Sequence, residues 1–163
     1  MATHPPIPGV ELEDCETIVG HGTLLGYDWW IARVELEDSP DRYVADIILL
    51  ADHPVAQAYQ SIDDADWIFQ SDIDRALRVP YNDDMPHRWE PCDQGLRVYF
   101  SSHFIRWSIN RPHEVVEAQM RSLILAYREL DTPEMRRWAG ELKQAIDARN
   151  AADERVWQLL ERK

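Results

Sequence analysis

The sequence predicts an α+β domain, in which an antiparallel sheet of about three to five strands carries short acidic helices and two C-terminal helices pack on one face. Three observations support this class. Strand-like apolar runs occupy residues 23–36, 42–50 and 96–109. Apolar residues recur at helical spacing across residues 110–162, and Asp-rich stretches with helix-capping residues lie between the second and third runs.

Length and composition indicate one domain over residues 1–163. A chain of 163 residues can bury roughly 70% of the surface that its unfolded form exposes. A hydrophobic content of 45% with seven Trp excludes a disordered chain, although the net charge is −13. The Pro-rich residues 1–9 are expected to form a loose lead, and residues 112–163 a helical pair.

The sequence shows no targeting or metal-binding pattern. The N-terminus lacks a basic segment followed by an apolar one, and no apolar run is long enough to span a bilayer. These features predict a cytoplasmic protein that does not associate with membranes. Cys15 and Cys92 lack the spacing of a zinc site or a disulfide framework, so we expect reduced thiols, no metal and no cofactor.

The first strand-like run follows a glycine-rich stretch, GHGTLLG at residues 20–26. A phosphate-binding loop of this composition must open a helix, whereas here the chain continues into the alternating YDWWIARVEL of residues 27–36. We therefore predict a strand with the glycines as turn residues. A short edge strand is expected before it, within residues 10–19.

The second run, YVADIILL at residues 43–50, follows the turn sequence ELEDSPDR and predicts the other arm of a hairpin. It is apolar on both faces except at Asp46, which favours a position near the middle of the sheet. A buried carboxylate needs a partner. Arg33 on the preceding arm is the expected one, and a catalytic role for Asp46 is the alternative.

The acidic stretch at residues 51–80 predicts short helices. Asp52 is expected to cap a helix that has Pro54 in its first turn, and Asp63 or Asp64, and Ser71 with Asp74, to cap two more. A calcium loop would need a central Gly and a terminal Glu, which this stretch lacks. The predicted partner-binding residues on these helices and the following loop are Asp63, Asp64, Asp66, Asp72, Asp74, Asp83, Asp84 and Trp89.

Residues 79–94 contain three Pro and are predicted to form a long irregular connection anchored by Trp89. His87 and Cys92 in this connection are an alternative thiolate or metal pair. In the third run, a long strand with a bulge is preferred over a tight hairpin at its two serines. It carries a nominal catalytic set of Ser101, His103 and either Asp28 or Asp46, but the run has no nucleophile elbow, so His103 is expected to be a half-buried structural residue.

The C-terminal half predicts two helices. The first is expected from an Asn110 cap to Leu130, and the second from a Thr132 cap, with Pro133 at its first position, to Arg162. The second helix has a heptad-like apolar series. Packing of its N-terminal part on the domain is favoured over a homodimer through this helix, for which the contact residues are Trp138, Leu142, Val156, Trp157 and Leu160.

The charge is divided unequally along the chain. Residues 1–94 contain 20 Asp plus Glu against 5 Arg, a net charge of −15, whereas residues 95–163 contain 10 acids against 12 bases, a net charge of +2. Such a field repels nucleic acid and attracts basic partners. We therefore predict a non-catalytic acidic binding protein or inhibitor of immunity or anti-defence type, which docks on a basic protein and in one form imitates nucleic acid. A small hydrolase-like enzyme that uses His103, or His87 with Cys92, is the alternative.

Overall fold

A computed structural model of the chain describes residues 12–36, 39–62, 67–80, 87–101 and 113–162. The elements follow in the order β1 (Glu16–Leu24), β2 (Tyr27–Leu36), β3 (Ser39–Leu50), α1 (Pro54–Tyr59), α2 (Trp67–Leu77), β4 (His87–Cys92), β5 (Gly95–Ser101), α3 (His113–Leu130) and α4 (Pro133–Glu161). The strands form one antiparallel sheet in the order β1-β2-β3-β5-β4. The predicted α+β class is confirmed, and β3 occupies the expected middle position.

The β1–β2 hairpin corrects the role predicted for the glycine stretch. Only Leu25 and Gly26 form the turn, with φ values of 55° and 88°, positive at both positions as a primed hairpin turn requires. Gly20 and Gly22 lie inside β1, where a Cβ on Gly22 would be 3.2 Å from the ring of Trp29. Space for this indole explains the two glycines. The edge strand expected within residues 10–19 therefore lies later in the chain, at Glu16–Leu24.

The predicted irregular connection at residues 79–94 is also corrected, because it contains β4. This edge strand pairs with β5 from His87↔Phe100 to Cys92↔Gly95. An edge strand tolerates Pro91, since one of its sides makes no ladder hydrogen bonds, so the prolines did not prevent pairing. The part of the third run beyond Ser101, with its predicted bulge and His103, lies outside the described residues, as do Asn110 and Pro112.

The hydrophobic core lies on one face of the sheet. Trp29, Ile31, Ile47 and Val98 alternate on this face and cluster with buried residues of α1, α2, α3 and α4. Helix α3 crosses β1, β2 and β3, whereas α1 lies against β3 and β5 and is itself packed against α4. On the opposite face, the described cluster of Trp30 and Ile48 contains only strand residues. The helices are therefore layered on one side of the sheet.

Two predicted helix caps are wrong. Helix α1 is capped by His53, whose Nδ1 accepts a hydrogen bond from Val55 N at 3.2 Å. The neighbouring Asp52 instead pairs with Arg136 at 2.5 Å. Ser71 and Asp74 lie within the continuous helix α2 and start no helix of their own, and the predicted caps Asp63 and Asp64 are outside the described residues.

The start and end of α4 agree with the prediction. Thr132 Oγ1 accepts a hydrogen bond from Met135 N at 3.2 Å, Pro133 is the first helical residue, and the helix continues to Glu161. Ala139 and Ile146 are buried, whereas residues 151–162 are all exposed. The last side-chain hydrogen bond from α4 to the domain that we identify is Asn150 Nδ2 to Ser61 O at 3.0 Å.

Candidate partner-binding surface

The sheet brings acidic residues from two separate segments to one of its ends. Glu35 N donates a hydrogen bond to Cys15 O at 2.8 Å, and Glu16 pairs with Val34 in the β1–β2 register. The start of β1 and the end of β2 therefore lie side by side. We call their four carboxylates, of which Glu16 is half-buried and the others exposed, the acidic end: Glu13, Asp14, Glu16 and Glu35.

The acidic end has a large excess of negative charge. Residues 11–16 and 35–42 together contain eight Asp plus Glu and a single Arg, Arg42. Arg33, just before the second segment, donates a hydrogen bond to Glu35 Oε1 at 2.5 Å. Both partners of this pair are solvent-exposed, so it neutralises little of the surrounding charge. In the described residues, Glu13, Asp14 and Glu35 are therefore exposed carboxylates at one end of the β1–β2 pair.

The structure describes only part of the predicted acidic patch on the helices. Asp63, Asp64, Asp66, Asp83 and Asp84 lie outside the described residues. Asp72 is exposed, and its carboxylate accepts a hydrogen bond from Arg75 at 3.2 Å. This contact joins residues three apart on the surface of α2, where such pairs contribute little to stability.

Asp74 and Trp89, which were predicted in the same patch, are engaged inside the domain. The Tyr59 hydroxyl donates a hydrogen bond to Asp74 Oδ1, and burial raises the pKa of Asp74 above its ordinary value. The Trp89 ring stacks on Tyr59 with centroids 5.2 Å apart and planes 18° from parallel. The outward position predicted for Asp74 is therefore corrected, whereas the packing of Trp89 agrees with its predicted role as an anchor. They join α1, α2 and β4, because Tyr59 offers both a hydroxyl and a ring face.

Asp46 is paired, but the predicted partner is wrong. Its Oδ1 accepts a hydrogen bond from Arg97 Nε at 2.6 Å. Arg33 cannot reach it, because Asp46 is in register with Trp30 and Arg33 is three positions further along β2, which places it on the other face of the sheet. Burial of the carboxylate raises the pKa of Asp46 to about 6 despite the guanidinium.

Of the residues in the alternative catalytic sets, the structure describes the side chains of Asp28, Asp46 and Cys92. The backbone of β4 places His87 opposite Phe100 and Cys92 opposite Gly95, at the two ends of the strand. Cys92 packs beside Trp30 and Ile48. Ser101 ends β5, but its side chain is outside the description, as is all of His103. The remaining candidate, Asp28, accepts a hydrogen bond from the hydroxyl of Thr23 at 2.6 Å.

No match to this chain was found among protein-family models, curated proteins or solved structures. The candidate surfaces therefore rest on their own geometry and charge. In the described ranges, no three His, Cys, Asp or Glu side chains form a group able to hold a metal ion. The helices there include none with the length and apolar character needed to cross a bilayer.

The predicted oligomer contacts fall into two groups along α4. Trp138 and Leu142 are half-buried and pack against the hydrophobic core. Val156, Trp157 and Leu160 are 54%, 63% and 67% exposed. The first group therefore belongs to the domain, and the second group is a free apolar surface as far as the described residues extend.

The acidic end was not predicted from the sequence, because the predicted hairpin turn covered the whole glycine stretch. A turn at Leu25 and Gly26 alone brings the start of β1 beside the end of β2, and a register shift between Ile18 and Gly20 then places Glu16 opposite Val34. His53 was missed as well. Its contact with the carbonyl of Tyr127 at 2.9 Å joins positions 74 residues apart, and no local pattern indicates it.

Proposed function

We propose that this protein is a non-catalytic acidic binding protein that docks on a basic protein through its N-terminal 94 residues. An inhibitor of immunity or anti-defence type is the form that fits such a surface. The recognising chemistry is a cluster of Lys and Arg, as found on the phosphate-binding surface of a nuclease or another nucleic-acid-binding protein. The acidic protein would occupy that cluster in place of nucleic acid.

The observation that carries the proposal is the acidic end. Its carboxylates come from segments about 20 residues apart in the chain, which are joined by β1–β2 pairing, by the hydrogen bond from Glu35 N to Cys15 O and by the turn from Glu13 to Glu16. Rigid support lowers the entropic cost of presenting charge to a partner. The net charge of −15 in residues 1–94 adds a long-range field around this support.

The same charge distribution determines which side of the domain the proposed partner approaches. The near-neutral residues 95–163 provide α3 and α4, which lie on the core side of the sheet. A basic partner is therefore steered to the acidic part of the domain and away from the C-terminal helices. Steering of this kind weakens as salt rises, because the Debye length shortens from about 10 Å at 0.1 M to about 3 Å at 1 M.

The proposal is tested with three variants that each remove four charges. The first neutralises the acidic end (Glu13→Gln, Asp14→Asn, Glu16→Gln and Glu35→Gln). The second changes Asp63, Asp64, Asp66 and Asp72 to Asn. The matched control neutralises exposed acids of the C-terminal half, Glu129, Glu134, Glu141 and Asp153. Binding to an arginine-rich peptide, and retention of basic proteins from a lysate, are measured as salt rises.

We expect wild type and control to bind alike at low salt, and the acidic-end variant to bind at least about tenfold more weakly, a loss of roughly 1.4 kcal/mol. A retained basic protein is then identified and challenged with DNA, which should compete if the surface imitates nucleic acid. Loss of binding in the control equal to that in the acidic-end variant would show that net charge alone acts. Absence of any binding at low salt would refute the proposal.

A second contact surface is proposed at the end of α4. Val156, Trp157 and Leu160 present apolar side chains next to charged ones, the arrangement by which amphipathic helices pair. This surface lies in the near-neutral half of the chain. It is therefore separate in chemistry from the acidic end, and self-association and docking on a basic partner can be measured independently.

A further inference from the structure

The apolar side chains at the end of α4 repeat the pattern by which the same helix packs on its own domain. Trp138, Ala139 and Leu142 face the core. Val156, Trp157 and Leu160 follow each of these by 18 residues, which is five turns at 3.6 residues per turn. The two triplets therefore lie on the same side of α4.

The second triplet has nothing to pack on in the part of the domain that the structure describes. Ala139 is fully buried, whereas Trp157 and Leu160 are 63% and 67% exposed. Residues 151–161 continue for about 16 Å past the last domain contact, at 1.5 Å per residue. An isolated helical end of this length is marginal in water, so it gains stability by packing on another surface.

We propose that this end of α4 pairs with the same residues of a second copy, side by side and antiparallel, to form a homodimer. This inference rests on the contact role proposed above for the end of α4, and not on the acidic end. When the two-fold axis lies at the level of Gln158 along the helix, Val156 of one copy lies opposite Leu160 of the other. Trp157 then fills the space beside that pair.

The charges of the same stretch are complementary to themselves in this orientation. Asp153, Glu154 and Arg155 precede Gln158 and give a net charge of −1, whereas Glu161, Arg162 and Lys163 follow it and give a net charge of +1. Antiparallel pairing about Gln158 brings each acidic end beside the basic end of the other copy, whereas parallel pairing brings like charges together. A self-complementary patch on one chain is what a two-fold interface requires.

The size of the contact predicts a weak dimer. A seam about two turns long buries much less than the roughly 800 Å² per partner of a standard interface. Two-fold pairing about Gln158 leaves the domains at opposite ends of the joined helices, so they do not collide. The dimer should therefore form reversibly as concentration rises, with both acidic ends accessible.

The first test measures the mass of the full-length protein by analytical ultracentrifugation over a wide concentration range. We expect the mass to rise from 19.1 kDa toward twice that value. Leu160→Ser should raise the dissociation constant of the dimer by at least about tenfold. The matched control is Gln158→Ser, because Gln158 is exposed and lies on the opposite side of the helix from Val156, Trp157 and Leu160. A monomer at every concentration, or equal losses in the two variants, would overturn the proposal.

The second test fixes the orientation. Chains carrying Val156→Cys are mixed with chains carrying Leu160→Cys and oxidised gently, with wild type as the control for the half-buried Cys15 and Cys92. Antiparallel pairing predicts mixed disulfide dimers. Dimers formed only between identical variants would show parallel pairing and refute the proposed geometry. Leu160→Ser should retain wild-type binding to the arginine-rich peptide, so failure of this inference and failure of the proposed function are distinguishable.

Discussion

Arg97 holds Asp46 across the junction of β3 and β5, with Nε 2.6 Å from Oδ1. The two side chains are unequally enclosed: Asp46 is 1% exposed and Arg97 is 20% exposed. Arg97 also lies over the rings of Trp30 and Tyr99, at 5.6 and 5.2 Å from their centroids, and its Nη1 is 3.6 Å from Glu90 Oε2. Arg97 therefore has other partners, whereas we identify no other cation beside the carboxylate of Asp46.

This inequality predicts that the two halves of the pair tolerate replacement differently. Arg97→Met leaves a buried carboxylate without a cation and should cost about 3–5 kcal/mol at pH 7. Asp46→Asn keeps an oxygen that accepts the hydrogen bond and removes a buried charge, so its effect should stay within about 1 kcal/mol. Urea unfolding measures both.

Arg33→Met is the matched control for this comparison, because it breaks the exposed pair with Glu35 and should cost at most about 1 kcal/mol. If Asp46→Asn proves as costly as Arg97→Met, attraction within the pair outweighs the burial of charge. Burial of the charged carboxylate would then not explain the raised pKa of Asp46.

The pH dependence of stability offers a separate measurement on Asp46. Burial raises its pKa from 3.8 to about 6, so the folded state binds this proton more tightly than the unfolded state. The contribution of Asp46 to the free energy of unfolding therefore falls as pH rises from about 4 to about 6. The fall is roughly 3 kcal/mol, at 1.36 kcal/mol per pH unit. Wild type should lose stability relative to Asp46→Asn across this window. A constant difference between the two proteins would contradict the assignment.

His53 should act in the opposite sense. Its two nitrogens contact Val55 N and the carbonyl of Tyr127, and burial lowers its pKa below 6.5. The folded state thus favours the neutral ring, and the stability that this provides is lost as pH falls from 6.5 through the folded pKa. The groups that face the ring are Tyr27, Tyr127, Asp52, Asp131 and Arg136.

The variant His53→Asn tests this, because Asn also accepts hydrogen bonds at a helix cap but does not titrate. At pH 7.5 it should be about 2–3 kcal/mol less stable than wild type, since a buried ring is lost. The gap should narrow as pH falls from 6.5 to 5. A gap that widens or stays fixed in acid would show that protonation of His53 does not govern this part of the domain.

Local patterns were sufficient for most of the fold. Alternation in YDWWIARVEL, the apolar run around Asp46 and the Thr132–Pro133 cap gave strands and a helix that the structure confirms. These features depend on neighbours within a few residues. Strand β4 was missed because the three prolines of residues 79–94 were taken to indicate an irregular connection, whereas the position of β4 at the sheet edge makes Pro91 acceptable.

The contacts that define the candidate sites are instead long-range. Asp46 and Arg97 are 51 residues apart, and which arginine it meets depends on β5 pairing with β3. The face of Arg33, by contrast, could be excluded by counting residues along β2. Asp74 illustrates the same limit: its carboxylate is drawn inward by the hydroxyl of Tyr59 on a different helix, which no charge pattern in α2 indicates.

The contact between Tyr59 and Asp74 predicts that Asp74 and Asp72 of α2 have different roles, Asp74 in stability and Asp72 in partner binding. Tyr59→Phe removes the hydroxyl and leaves a half-buried carboxylate without this donor, at a cost of about 1–3 kcal/mol. Asp74→Asn keeps the acceptor oxygen and should stay near wild-type stability. Trp89 fluorescence should change little in Tyr59→Phe, since the stacked ring is retained.

For binding to the arginine-rich peptide, Asp72→Asn should weaken the interaction more than Asp74→Asn, because only Asp72 is exposed. Equal losses would return Asp74 to the partner-binding surface.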